Sequence, residues 1–152
     1  LASKTISLGL KSGCTIILPR DCVVAKELKP GALFDVVKID SVPQDFKILD
    51  VGPKTIDYIV KNLRKCKTLV WNGPFGAFEI PPFDNGTNSI AQQTARLTKK
   101  GKLLSIAGGG DTIAALAKAG VIDDFSYVST AGGAFLEWIE GKRLPGVEVL
   151  RR

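Results

Sequence analysis

Histidine is absent from the 152 residues of this chain. That excludes, within the chain, any Ser-His-Asp arrangement, any histidine metal ligand and any histidine general base. Methionine is absent too, even at position 1. An intact translation product begins with methionine unless it is removed, and Leu1 is a poor residue to follow removal, so the sequence is expected to be a piece of a longer protein. Cysteine is scarce: Cys14, Cys22 and Cys66 are odd in number and not closely paired. This argues against a disulfide framework and against zinc, and for reduced core residues in a cytoplasmic protein. No apolar stretch reaches the roughly 18 residues of a membrane span. The start, Leu1-Ala2-Ser3-Lys4-Thr5-Ile6, lacks the basic-then-apolar order of a secretory signal. The Gly-x-Gly-x-x-Gly dinucleotide spacing and the Gly-x4-Gly-Lys-Ser/Thr of P-loops are both missing.

What remains is ordinary globular material: 45% apolar and 24% charged residues, in a chain long enough for one domain with a real core. The net charge of +6 is scattered, with Lys61, Arg64, Lys65 and Lys67 in one stretch and Lys99, Lys100 and Lys102 in another. These read as solvated helix ends. A nucleic-acid footprint would be a denser stripe interleaved with aromatics, so no nucleic-acid partner is expected.

Along the chain, short apolar runs alternate with segments of helical spacing. A helix end is expected over 2–12, stopped by Gly13, and a buried strand over 14–18, ended by Pro19. Residues 20–46 read as irregular, with an edge strand over 33–37. Strands are expected at 46–51, 68–71, 103–107 and 126–129, and helices at 54–66, from Thr87 to near Gly101, at 112–119 and at 134–140. The tail 144–147 reads as irregular. Continuous apolar strands between helices predict an α/β fold, a Rossmann-like three-layer domain with a mainly parallel sheet and helices on both faces. Ligands of such sheets bind beyond the carboxyl ends of the strands.

Two glycine turns sit at such ends: Ala107-Gly108-Gly109-Gly110-Asp111-Thr112 and Thr130-Ala131-Gly132-Gly133-Ala134. A strand, a glycine turn and a helix start make an anion site, because the first helical N–H groups lack partners and the dipole is positive there. Two such turns suit a polyphosphate. Asp111 is also a plain helix cap, worth ~1 kcal/mol. Beside a phosphate, its carboxylate makes sense holding a Mg²⁺ shared with the ligand. Asn72 reads equally as a turn former before Gly73-Pro74 or as an amide donor to a phosphate oxygen. Glu79 is either an ordinary exposed carboxylate or an acceptor for ribose hydroxyls. No lysine lies in either turn.

Taken together these motifs are specific. Val70-Trp71-Asn72-Gly73-Pro74-Phe75-Gly76-Ala77-Phe78-Glu79 resembles phosphoglycerate kinase, as do Gly108-Gly109-Gly110-Asp111-Thr112 and Val128 to Glu137. Leu18-Pro19-Arg20-Asp21, Leu49 to Thr55 and Leu144-Pro145-Gly146-Val147 match in order. The resemblance runs from about residue 13 to 150. It implies two Rossmann-like domains that close over 1,3-bisphosphoglycerate and Mg²⁺-ADP, with residues 1–152 forming part of the C-terminal, nucleotide-binding domain of a monomeric glycolytic kinase. By this resemblance Asn72 approaches the nucleotide phosphates, Pro74 packs near the ribose and Glu79 binds its hydroxyls. Leu49 and Ala77 line the adenine pocket. Asp111 meets the metal, while Gly109, Gly110 and Thr112 hold phosphates. Main-chain N–H groups near Gly110 and Gly133 steady the transferring phosphoryl group. Two departures stand out. Ala131 replaces a common glycine and is expected in ordinary backbone. The family's first strands with their phosphate-binding lysines, and the whole domain that holds phosphoglycerate, are absent, so the chain alone is expected to be inactive. A stand-alone ADP-sensing module and a different α/β enzyme, such as a dehydrogenase, are the alternatives.

Overall fold

The computed structural model describes residues 1–150. After helix α1 (Ala2–Lys11) come three strands, β1 (Asp21–Ala25), β2 (Phe34–Lys38) and β3 (Lys47–Val51). They form one antiparallel sheet in the order β2-β1-β3. Helix α2 (Pro53–Leu63) leads to β4 (Thr68–Asn72), α3 (Asn85–Lys99), β5 (Leu104–Gly108), α4 (Gly110–Lys118), a 3₁₀ turn (Ile122–Asp124), β6 (Tyr127–Ser129), α5 (Gly132–Ile139) and the short α6 (Pro145–Glu148). Strands β4-β5-β6 form a parallel sheet flanked by helices. The fold is α/β, as expected.

The main core lies where α2 and α3 meet the parallel sheet. Ile56 and Leu63 from α2, Ile90, Ala91 and Ala95 from α3, and Leu116 from α4 close around Trp71 and Ala107. Trp71 is boxed edge-on by Phe75 and Phe125, at 5.8 and 6.1 Å between ring centroids. A second core joins Val23, Ala25, Ala32, Leu49 and Phe83 beneath the antiparallel sheet.

Several expectations are corrected. Half of the six strands belong to the antiparallel sheet, which the sequence reading did not separate from the parallel one. The stretch 14–18 is not a strand. Among the described residues no strand lies beside it, so its backbone has no ladder, and Leu18 is exposed. Within 20–46, read as irregular, β1 is buried at all five positions as the central strand. The tail forms a short helix instead of irregular chain. Of the cysteines only Cys22 is buried; Cys14 and Cys66 are exposed.

Candidate functional site

The parallel register aligns Asn72 of β4 with Gly108 of β5, and Gly108 with Ser129 of β6. All three strands therefore stop at one rim. Helices α4 and α5 start just beyond it, from adjacent strands. The glycine turns expected to cooperate are thus neighbours.

What distinguishes these two helix starts among the described residues is that no distant carboxylate is seen to fill them. Four helices follow strands. The start of α2 is filled by a distant carboxylate: Asp21 accepts the Lys54 and Thr55 N–H groups at 3.0 and 2.8 Å and the Thr55 hydroxyl at 2.7 Å. Burial pushes the Asp21 carboxyl up, but the Thr55 hydroxyl and the two N–H groups outweigh it, and it lies below the usual carboxylate range. The start of α3 is filled by Asp50, whose Oδ2 accepts the Gly86 N–H at 2.7 Å. Neither α4 nor α5 has a side-chain cap. At α5 the Ala131 N–H is served locally, donating to Ser129 Oγ at 3.2 Å; the N–H groups of the first helical turns lie at the rim, next to Asn72 and Ser129 in the chain's register.

Gly109 makes the turn into α4. Its φ of +99° and ψ of 142° suit glycine alone, and an added Cβ would stand 3.7 Å from Asn72 Oδ1 and Thr112 Oγ1. Asn72, Gly109 and Thr112 therefore share one small space. Thr112 is buried, and its hydroxyl accepts the Gly73 N–H at 2.7 Å, which leaves its own hydrogen free to donate. Asp111 is exposed in the first turn of α4. No group of three or more histidine, cysteine or acidic residues able to hold a metal occurs among the described residues. A single exposed carboxylate beside open N–H groups fits Mg²⁺ that arrives with phosphates and keeps its waters, and does not fit an all-protein cage. Ala131 has a φ of −99°, the ordinary backbone expected of it. Gly133 occupies the first turn of α5.

The loop from Gly73 to Glu79 is fastened almost residue by residue. Besides the Gly73–Thr112 bond, the Trp71 indole donates to the Gly73 carbonyl at 2.7 Å. Phe75 donates its N–H to Thr87 Oγ1 at 2.9 Å and receives the Thr87 hydroxyl on its carbonyl at 2.5 Å. The Ala77 N–H donates to the Leu49 carbonyl at 2.8 Å, which brings these two expected adenine neighbours together. Lys118 Nζ donates to the Phe78 carbonyl at 2.7 Å. Gly76, at φ +58°, passes so close to β3 that a Cβ would meet Asp50 Oδ1 and the Leu49 carbonyl at 2.6 Å. Pro74 is half-buried in this loop and Glu79 is exposed at its end. A mostly apolar cleft of about 200 Å³ opens here, lined by Leu49, Ile48, Val51, Ile39 and Gly76 among others, with Asp50 as its one carboxylate. A larger cavity, about 750 Å³ near Phe34 and Phe46, is lined by none of the expected site residues.

Sequence reasoning missed the supports: Asp50, Thr87, Asp84 and Lys118. Asp50 carried a signal, a lone carboxylate inside the apolar run Ile48-Leu49-Asp50-Val51. Burial is the main cause that raises it to about 6; the Gly86 and Val51 N–H groups pull it down and Asp84 adds to the rise.

Comparison with known proteins points to one family. The family model described as phosphoglycerate kinase matches residues 1–142. Phosphoglycerate kinase of Mesorhizobium japonicum is 63% identical over 142 residues, covering 93% of this chain and 36% of that protein. Its counterpart in Allorhizobium ampelinum is 60% identical over 141 residues, covering 93% of this chain and 35% of the relative. The structure of phosphoglycerate kinase from Coxiella burnetii superposes with a TM-score of 0.90 at 45% identity, covering 98% of this chain and 38% of that one. The enzyme from Pyrococcus horikoshii gives 0.71 at 26% identity, covering 99% and 38%. The chain spans 35% and 36% of the length of these two curated relatives.

Proposed function

The chain belongs to the phosphoglycerate kinase family, and we propose that it is most of that family's C-terminal, nucleotide-binding domain. The observation that carries this reading is the contrast among helix starts: distant carboxylates, Asp21 and Asp50, fill those of α2 and α3, while at α4 and α5, side by side on the rim, the side-chain partner found is Ser129 Oγ on the Ala131 N–H. Such a pair of tips suits the phosphate chain of ADP or ATP.

In this reading the intact protein reversibly moves a phosphoryl group from 1,3-bisphosphoglycerate to ADP, in the cytoplasm and as a monomer, with neither nucleic acid nor membrane as partner. No helix among the described residues is long and apolar enough to cross a membrane. Phosphoglycerate is held mainly by a second domain. The adenine rests by Leu49 and Ala77, which meet through the Ala77 N–H and the Leu49 carbonyl, the ribose lies by Pro74 and its hydroxyls reach Glu79. Asn72 donates its amide, and Thr112 its remaining hydrogen, to phosphate oxygens. Gly109 and Gly110 help hold the phosphates, and N–H groups near Gly110 and Gly133 serve the phosphoryl oxygens over which charge spreads during transfer. Donors fixed in advance by helices need no rearrangement as that charge develops. Asp111 would hold a Mg²⁺ that arrives with the nucleotide, and that ion would neutralise phosphate charge.

Calorimetry with MgADP tests the reading. The chain alone should bind on the order of millimolar, since no lysine lies in either turn. Asp111→Asn in the intact protein should abolish the Mg-dependent step, and unchanged turnover would remove Asp111 from the metal.

A further inference from the structure

Lys118 closes the last turn of α4, where a cation ordinarily serves its own helix terminus. Here the ammonium leaves that terminus. It donates to the Phe78 carbonyl at 2.7 Å and pairs with Asp84 Oδ2 at 3.1 Å. The side chains are 36% and 13% exposed, which makes this the most enclosed ion pair among the described residues. Asp84 stands at the cap position of α3 yet makes no cap bond; Asp50 takes the Gly86 N–H instead. Asp84 is therefore free to hold the ammonium, and the ammonium holds the backbone just before Glu79.

At its other end α4 is tied to the start of the same loop, where Gly73 N–H meets Thr112 Oγ1. From Thr112 to Lys118 the helix rises about 9 Å. One rigid helix thus spans the loop and grips it at both ends, at Gly73 and at Phe78. The first grip lies beside the phosphate tip, the second beside the ribose end.

We propose that Lys118 is a positioning residue that sets the distance between the phosphate-binding tip of α4 and the ribose-binding end of the 73–79 loop, so that both halves of one nucleotide engage together. The inference rests on the function proposed above. A ligand that reaches only the phosphate tip gains nothing from Lys118; one that spans both ends does.

The test compares MgADP with magnesium pyrophosphate by calorimetry on the intact protein carrying this segment. Lys118→Met keeps the stem and removes the ammonium. It should weaken MgADP about tenfold while leaving pyrophosphate within about twofold. Lys118→Arg, which can still donate to the carbonyl and pair with Asp84, should restore most of the loss. If Lys118→Met proves too unstable to assay, Asp84→Asn frees the ammonium from one partner and should weaken MgADP about threefold, again sparing pyrophosphate. MgADP affinity unchanged in the variant, or both ligands weakened in parallel, overturns the proposal. Failure of the unaltered protein to bind either ligand overturns the nucleotide reading itself, and this inference with it.

Discussion

Two buried aspartates carry much of the local order and titrate in opposite directions. Asp21 lies below the usual carboxylate range, because the hydrogen bonds it accepts outweigh its burial. Its stabilising contribution is therefore present above the unfolded value near 3.9 and is lost as pH falls through the lower folded value. Asp21→Ala leaves the Lys54 and Thr55 N–H groups unpartnered at the start of α2, and should cost about 2–3 kcal/mol in urea unfolding. A loss within the noise of the measurement would show that water replaces the carboxylate. Asp50 is the reverse case. Burial raises it to about 6, so between about 4 and 6 the folded chain holds a proton that the unfolded chain has released. Its contribution is largest below the unfolded value near 3.9 and declines as pH rises through 6. Urea midpoints followed from pH 7 down to 4.5 should show this limb, and Asp50→Asn should flatten it. A limb that persists in the variant would assign it to another group.

At the scale of elements, the glycine turn into α4 is the most constrained piece. Gly109→Ala forces a side chain into φ +99°, ψ 142°, a region that costs about 1–3 kcal/mol outside glycine. Thermal unfolding should shift down accordingly, and any MgADP binding should weaken more than the fold does. Wild-type affinity in the variant would mean that this turn does not shape the site. The β-α units from β4 onward were legible in the sequence because each strand is a short apolar run followed by glycine or asparagine and then by helical spacing. In the first third α1, β2 and β3 were legible too, but β1 and the stretch 14–18 were not. Cys22-Val23-Val24-Ala25 is a continuous apolar run of the kind assigned to parallel strands, yet β1 lies at the centre of an antiparallel sheet, buried at every position, with Val23 and Ala25 packed in one core with Leu49 and Phe83. Thr15-Ile16-Ile17-Leu18 has an equally strong run and forms no strand, because a run of apolar residues needs a ladder beside it. For the site, the residues at the rim were readable as motifs. Their supports were not, since Lys118 reads as a routine helix-end cation and Thr87 as a routine helix residue until the loop is seen lying across them.

At the scale of the molecule, the antiparallel sheet and the parallel sheet have separate cores, joined where Asp21 of β1 meets the start of α2 and along a seam where β3, the 73–79 loop and the start of α3 meet around Asp50. The candidate nucleotide site runs along that seam, from Leu49 and Ala77 at the antiparallel end to Asn72, Gly109 and Gly133 at the parallel end. Thr87→Val removes the two bonds that Phe75 makes across it. It should loosen the loop, with faster amide hydrogen exchange at Phe75 while β5 amides stay protected; equal exchange in both would make the loop and the sheet one cooperative unit. The central claim concerns the whole rim: two neighbouring helix starts, with no distant carboxylate seen to fill them, hold the same phosphate chain. Amide chemical shifts of the intact protein, titrated with MgADP, test it most directly. The account predicts that the amides of Gly110 to Thr112 and those around Gly133 move together with a single binding constant, while Lys54, Thr55 and Gly86 stay still. Movement at one tip alone, or at the starts of α2 and α3 instead, would contradict it.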